Sequence, residues 1–279
     1  MNVAALVEYD GTRYSGFQRQ PVDRGPTIQG EIEAALRRVT GAPVQITGAG
    51  RTDSGVHATG QVVSFQPGAR LDEDAWRRAL NAHLPRDIAV RAVRMVGDGF
   101  HARKSALGRR YRYRIFHDPI RSPLRERYAW RASRPLDVAT MRAAAALLPG
   151  ERDFGAFGSS PRDSREDGYR GHTVRRLTLA RCEETESGEI VFDFAANAFL
   201  TGMVRRLVGT LALVGAGRLT VDGLRDILEA RDRARAGPAA PPHGLCFTRV
   251  DYPAEWGLWG DDSGDQASET PQLASGAVS

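Results

Sequence analysis

Residues 48–61 read GAGRTDSGVHATGQ and decide how the rest of the fold is interpreted. Apolar runs at 44–46 and 62–65 flank this stretch, which predicts two β-strands with the polar residues in a loop between them. Glycines allow positive φ angles and a close approach of the backbone to a ligand. Loops on a rigid scaffold often carry binding and catalytic groups. The carboxylate of Asp53, with Arg51 two residues before it, is the loop's candidate for chemistry.

Hydrophobic periodicity outside this loop predicts alternating strands and helices. The elements predicted around the loop are a strand at 3–9, a helix after Thr27, a helix at 72–83 and a strand at 88–96. Their β-α-β-β-α-β order matches the split βαβ, ferredoxin-like unit. Further along the chain we predict strands at 111–116, 174–182, 190–196 and 245–250, and helices at 137–148, 200–216 and 221–230.

This pattern predicts an α/β (α+β) fold with two similar halves whose sheets join side by side. Residues 1–105 would form the N-terminal half that carries the Asp53 loop, and residues 106–252 the C-terminal half. Residues 253–279 contain acidic and small residues and no basic residue, which predicts a disordered acidic tail.

Composition describes an ordinary globular protein, with 41% hydrophobic and 26% charged residues in 279. The sequence has no long apolar span, and its first nine residues read as a strand rather than a signal peptide. Cys182 and Cys246 have neither a metal-ligand nor a redox spacing. We therefore expect a cytoplasmic protein without disulfides and without a membrane partner.

The formal charge of +5 is concentrated in residues 101–134. That stretch holds ten arginines and Lys104 against Asp118 and Glu126, a net charge of +9. The guanidinium fork matches phosphate oxygens, so the clustering predicts a polyanionic partner. Lys104 is the only lysine of the chain, which we attribute to genomic base composition.

Within the basic stretch, residues 109–115 read RRYRYRI, the pattern of a strand. A period of two places three arginines on one face and Tyr111 and Tyr113 on the other. A buried core position is favoured for Tyr113. An aromatic ring beside arginines can also stack on a splayed-out RNA base while phosphates are held nearby, which makes Tyr111 a candidate for base binding.

The predicted helix at 200–216 is apolar nearly all round and should be buried, yet it contains Arg205 and Arg206. An arginine on a buried helix needs an anionic partner, because an unpaired buried charge is costly. One of the two can reach solvent by extending its stem. The other could pair with a loop carboxylate such as Asp53 and orient it.

The sequence does not favour the motifs of other classes of functional site. The GAG at 48–50 is no dinucleotide fingerprint, because Asp53 stands at the sixth position of the pattern and a strand follows. Ser54, Asp53 and His57 are too close together in one loop to form a hydrolase triad. No Walker loop, HExxH motif or Cys/His metal cluster occurs. Taken alone, Asp-Ser-Gly also suits an ordinary turn.

The chain resembles the tRNA pseudouridine synthase A family, within the pseudouridine synthase superfamily, in an ordered set of motifs. These are EYDGT at 8–12, GFQRQ at 16–20, TIQG at 27–30, GRTD at 50–53, GVHA at 55–58, HAR at 101–103, RYRY at 110–113, NAFL at 197–200, MVR at 203–205 and GL at 244–245. The resemblance implies the pseudouridine synthase fold. In that fold two ferredoxin-like halves, with mixed and largely antiparallel sheets, meet at a central RNA-binding cleft.

The resemblance also implies a reaction and its residues. The reaction is isomerisation of uridine to pseudouridine in the anticodon arm of tRNA, at nucleotides 38–40. Asp53 would be the nucleophile, Arg205 its ion-pair partner and Tyr111 the residue that stacks on the target base. Leu245 would form an apolar wall, and Arg51 would position the flipped nucleotide or the phosphates around it. The family works without metal or organic cofactor and forms homodimers that grip tRNA across both subunits.

The chemistry suits these residue types. The N1–C1′ bond of the uridine must break, the base must rotate, and C5 must bond to C1′. An ionised aspartate can attack C6 of uracil or C1′ of ribose, or remove a ribose proton, and all three stay open. A non-catalytic RNA-binding protein of the same fold, or a synthase for another RNA site, also stays open. The presence of Asp53, Arg205 and Tyr111 together favours the enzyme, because binding alone needs no buried carboxylate.

Overall fold

The protein is described by a computed structural model over residues 1–159 and 173–259. The strands are β1 (Asn2–Tyr9), β2 (Thr47–Gly48), β3 (His57–Phe65), β4 (Ile88–Val96), β5 (Gly108–His117), β6 (Trp130–Ala132), β7 (Gly150–Asp153), β8 (Val174–Glu184), β9 (Glu189–Ala196) and β10 (Leu245–Asp251). The helices are α1 (Ile28–Thr40), α2 (Glu73–His83), α3 (Val138–Ala145), α4 (Met203–Gly215) and α5 (Val221–Ala230).

These strands form one mixed, largely antiparallel sheet in the order β4-β1-β3-β10-β5-β9-β8-β7, with β2 paired to β3 and β6 to β5. The first unit, in the order β4-β1-β3-β2, is antiparallel throughout. The second, β10-β5-β9-β8, repeats that arrangement with later elements of the chain. Two ferredoxin-like units therefore stand side by side over one continuous core, as the sequence predicted. The division of the chain at residue 105 stays a prediction.

The two units join where β3 meets β10 in parallel, with Cys246 opposite His57 and Phe247 opposite Ala58. Beyond this pairing the two backbones come very close. A Cβ atom added to Gly60 would lie 1.9 Å from the carbonyl oxygen of Thr248. Glycine is therefore needed at position 60, because any side chain would push the two units apart.

The prediction of a strand at 44–46 is wrong. The backbone amide of Ile46 donates to the Glu33 carboxylate (3.3 Å) instead of to a neighbouring strand, and pairing with β3 begins only at Thr47. The strand after the loop begins earlier than expected. Because β10 pairs with the first residues of β3, His57 and its successors lie in a strand rather than in the loop.

Local signals set most helix starts. The side chains of Thr27 and Asp72 accept hydrogen bonds from the first turns of α1 and α2, as N-caps do. The fourth helix begins at Met203 rather than at 200, because Gly202, with a φ of 72°, turns the chain into it. Its buried character is confirmed, since ten of its residues are buried. Within the described ranges, none of the helices has the length and apolar character needed to span a membrane.

The predicted acidic tail lies outside the described residues from 260 onward. Its first residues, up to 259, are packed rather than disordered. The ring of Trp256 lies 5.3 Å from that of Phe100 between centroids, and Leu258 and Trp259 also pack against the core. The sequence pattern missed this because the aromatic partners lie far back in the chain.

Candidate active site

Asp53 lies in a tight turn between β2 and β3. The amide of Val56 donates to the Asp53 carbonyl oxygen (3.2 Å), and Gly55 has a φ of 77°, a conformation that favours glycine. The Asp53 side chain is 35% exposed. The turn thus presents the carboxylate at the protein surface while its backbone is held.

Hydrogen bonds from the surrounding core hold the part of the loop that precedes Asp53. Thr52 accepts a hydrogen bond from the amide of Phe17 (3.0 Å) at its carbonyl oxygen, and its hydroxyl pairs with the buried hydroxyl of Tyr9 (2.8 Å). The side-chain amide of Gln61 donates to the Gly50 carbonyl oxygen (2.8 Å). The carboxylate is therefore positioned before any substrate binds, which lowers the cost of reaching a reactive geometry.

Arg205 supplies the charge partner of Asp53. Its Nη1 lies 3.1 Å from Oδ2 of Asp53, and its Nε donates to the carbonyl oxygen of Ala240 (2.8 Å). The amide of Ala240 donates back to the Arg205 carbonyl oxygen (2.9 Å). The Arg205 side chain is 21% exposed. The guanidinium is thus fixed between a backbone segment and the carboxylate, and the contact between Asp53 and Arg205 expected from the sequence is present.

Arg206 contacts the backbone segment 237–240, which Arg205 also contacts, and not Asp53. Its Nη1 donates to the carbonyl oxygen of Gly237 (3.2 Å), and burial, followed by the charges of Arg233 and Arg205, lowers the pKa of Arg206 below its usual value. The segment runs tightly along α4, since a Cβ atom on Gly209 would lie 1.8 Å from its backbone. Arg206 is half-buried rather than extended into solvent.

Tyr111 belongs to an aromatic group beside the loop. Its ring stacks on Phe247 with centroids 4.7 Å apart and meets Phe199 nearly at right angles at 5.1 Å. Its side chain is buried, with 8% exposure, and burial raises the pKa of Tyr111 above its usual value. A Cβ atom on Gly50 would lie 3.7 Å from the Tyr111 hydroxyl, so the ring borders the Asp53 loop. Both phenylalanines were missed; Phe199 lies inside the NAFL motif, which was the available signal.

Leu245 and Arg51 occupy different positions at the site. Leu245 begins β10, is buried, and is the Cα partner of Tyr113 in β5. Tyr113 is fully buried, as expected, and its hydroxyl donates to the carbonyl oxygen of Pro241 (2.8 Å). Arg51 is exposed on the loop, two residues before Asp53. The structure thus brings Asp53 and Arg205 into contact, sets Tyr111 against the loop, and leaves Arg51 on the surface.

The basic stretch carries less unbalanced charge than its sequence suggests. Arg112 makes two contacts with the carboxylate of Asp193 (2.8 and 3.1 Å), and Arg110 contacts Asp251 (3.2 Å). The arginines of the stretch that form ion pairs include Arg110, Arg112, Arg121, Arg125, Arg127 and Arg131. The net charge counted from the sequence therefore overestimates the positive charge that is left for phosphate binding. The count missed the ion pairs because most of the acidic partners lie far away in the sequence.

A second group of charges, which the sequence did not reveal, lies where the Asp53 loop passes into β3. Arg127 contacts the carboxylate of Asp10 at 2.7 Å, and Nδ1 of His57 lies 3.1 Å from the same carboxylate. Partial burial raises the pKa of Asp10, but hydrogen bonds from His57, Thr12 and Arg127 outweigh it and hold the pKa well below its usual value. This group ties the connection between β5 and β6 to the turn that follows β1.

Comparison of the sequence with known proteins gives a consistent result. A family model described as tRNA pseudouridine synthase matches residues 5–103 and 144–253. The chain is 44% identical to tRNA pseudouridine synthase A of Neisseria gonorrhoeae, over 91% of this chain and 93% of that protein. The proteins of the same name from Moorella thermoacetica (44%, covering 88% and 96%) and Xanthomonas euvesicatoria pv. vesicatoria (45%, covering 92% and 98%) are equally similar.

Similarity to solved structures is much weaker. A chain in the crystal structure of a Cbf5-Nop10-Gar1 complex matches with a TM-score of 0.33 and 12% sequence identity. The match covers 88% of this chain and 57% of that one. The sequence matches, and not this structural match, therefore identify the relatives of the chain.

Proposed function

Because the chain belongs to the tRNA pseudouridine synthase family, we propose that Asp53 is the nucleophile of the reaction and that the target uridine lies in the anticodon arm, at nucleotides 38–40. The chain is an isomerase that converts uridine in tRNA to pseudouridine. The observation that supports Asp53 most directly is its contact with Arg205, 3.1 Å between Oδ2 and Nη1.

The proposed reaction uses this pair as follows. The carboxylate of Asp53 attacks a carbon of the flipped nucleotide, C6 of uracil or C1′ of ribose. The N1–C1′ bond breaks, the base rotates, and C5 bonds to C1′. The C5 proton is lost, N1 takes up a proton, and the bond to Asp53 breaks, so the product is an isomer of the substrate. Arg205 orients the carboxylate, since its guanidinium is itself fixed by the backbone of Ala240.

The remaining predicted residues would bind the nucleotide. We place the target base against the exposed part of Tyr111, which neither Phe247 nor Phe199 covers, with Leu245 as an apolar wall. Taking a base out of its stack costs a few kcal/mol, which aromatic stacking in a closed pocket offsets. Arg51 is exposed beside Asp53, which suits a contact with the flipped nucleotide or its phosphates.

The formal charge of +5 favours a polyanion such as tRNA, although ion pairs reduce the contribution of the basic stretch. We further propose a homodimer that grips tRNA across both subunits, as the resemblance to the family implies, and a cytoplasmic location, as the cysteine usage indicates. Sedimentation of the protein with and without tRNA tests the dimer: a monomer in both would contradict it.

Replacing Arg205 by lysine is expected to lower kcat by about 100-fold, the cost of losing one well-placed donor. Lysine keeps the charge, but its single nitrogen cannot reproduce the paired contacts that the guanidinium makes with Ala240 and Asp53. The rate is measured as tritium released from tRNA labelled at uridine C5, because C5 loses its hydrogen in the reaction. Arg206→Lys is the matched control, and an equal loss in both variants would contradict the specific role of Arg205.

A further inference from the structure

Arg109, the second residue of β5, contacts the backbone at four places. Its Nε and Nη2 donate to the Ala49 carbonyl oxygen (3.4 and 3.2 Å), and Nη2 also donates to that of Arg103 (2.7 Å). Its Nη1 donates to the carbonyl oxygens of Ala106 (3.2 Å) and Asn197 (2.8 Å). A guanidinium group has five N–H donors in a planar fork, and these contacts number five.

Two of the backbone segments that Arg109 contacts lead to the residues of the proposed site. Ala49 belongs to the first unit of the sheet, where its amide donates to the carbonyl oxygen of Val62 (2.8 Å), and it begins the loop that leads to Asp53. Asn197 belongs to the second unit and precedes α4, which carries Arg205. One side chain therefore links the loop of the nucleophile to the segment that leads into the helix of its charge partner.

The units are also joined near the proposed site by a strand pairing and by an ion pair. The parallel pairing of β3 with β10 has two pairs of Cα partners. The contact between Asp53 and Arg205 is a single hydrogen-bonded ion pair, and both of its side chains are partly exposed. Arg109 adds a half-buried link that fixes the first part of the loop from the opposite unit.

We propose that Arg109 is a positioning residue, which sets the distance between the Asp53 loop and Arg205 and thereby controls the rate of the chemical step. It acts through Asp53, so the inference rests on the proposed function of that residue. Arg109 shares the strand face of Tyr111, opposite to the face on which Arg110 and Arg112 meet carboxylates. Within β5, Arg109 thus contacts backbone carbonyl oxygens, whereas Arg110 and Arg112 form ion pairs on the opposite face.

Lysine cannot replace arginine at this position. Its ammonium group has three donors on one nitrogen, whereas the four carbonyl oxygens surround a fork. A carbonyl that loses its partner inside the protein is costly, so the loop will shift to find another donor. A displacement of about 1 Å at a reacting group can lower a rate by about 100-fold.

The test compares kcat and KM of the full-length wild type with those of Arg109→Lys and Arg109→Gln. We expect kcat to fall by about 100-fold, with KM changed by less than about threefold, because phosphate contacts dominate tRNA affinity. Amide hydrogen exchange at residues 49–53 should become faster in both variants. Arg142→Lys is the matched control, since Arg142 also donates to a backbone carbonyl oxygen, that of Cys182 (3.1 Å), but from α3.

An unchanged kcat, or a rise in KM alone, would overturn the proposal. So would a loss of folding in both variants, seen by circular dichroism and thermal unfolding, because Arg109 would then support the whole sheet. Failure of the proposed function is recognised separately. In that case the wild type would form no pseudouridine, or Asp53→Asn would keep its activity, whatever the Arg109 variants do.

Discussion

Replacing Asp53 by asparagine is expected to reduce pseudouridine formation by about 10⁴-fold or more, the size of loss seen when a nucleophile is removed. Asparagine has nearly the same shape and can still accept a hydrogen bond from Arg205, but it lacks the negative charge needed for attack. Binding of tRNA should change by less than about tenfold, because phosphate contacts supply most of the affinity. Single-turnover tritium release from uridine C5 and a filter-binding titration measure the two quantities.

Asp222→Asn is the control for the nucleophile variant. Asp222 also forms an ion pair with an arginine, Arg225, but both lie exposed on α5. Removal of this charge should leave the rate unchanged. If Asp53→Asn retained more than about a hundredth of the wild-type rate, Asp53 would be a substrate-positioning residue and the nucleophile would have to be sought elsewhere.

Replacing Gly60 by alanine should destabilise the protein by about 3 kcal/mol, the upper part of the usual range for overpacking. The added methyl group would lie 1.9 Å from the Thr248 carbonyl oxygen, and this contact involves backbone, which cannot rotate away. For a chain of this size the melting temperature should fall by about 6–12 °C. Thermal unfolding followed by circular dichroism measures the change.

Gly68→Ala is the matched substitution. Its added Cβ would lie 3.5 Å from the nearest atom, a side-chain carbon of Thr40, which is an ordinary van der Waals distance. The melting temperature should therefore stay close to that of the wild type. Equal effects of the two substitutions would show that the close approach of β3 and β10 at Gly60 does not limit stability.

The order of elements was predictable because its signals are local. N-cap residues such as Thr27 and Asp72 precede their helices directly, and the period of apolar residues separates helix from strand. Even the contact of Asp53 with Arg205 could be anticipated across 152 positions. The reason is physical: a charge on a buried helix favours an anionic partner, which restricts the candidates, although Arg206 on the same helix donates to a carbonyl oxygen.

Contacts without such a restriction could not be predicted. The strand expected at 44–46 fails because the carboxylate of Glu33, 13 positions earlier, takes the amide of Ile46. The carbonyl partners of Arg109 lie up to 88 positions away, and every residue has a carbonyl, so no sequence pattern singles them out. Long-range partners chosen from many equivalent groups become visible only in the folded chain.

The most direct test of the account is to map pseudouridine in unmodified tRNA transcripts after incubation with the wild type and with Asp53→Asn. Chemical labelling followed by primer extension locates each modified nucleotide. We expect labelling at nucleotides 38–40 with the wild type and none with the variant, although the variant still binds tRNA. Labelling elsewhere would contradict the anticodon-arm assignment, and labelling by the variant would contradict the role of Asp53.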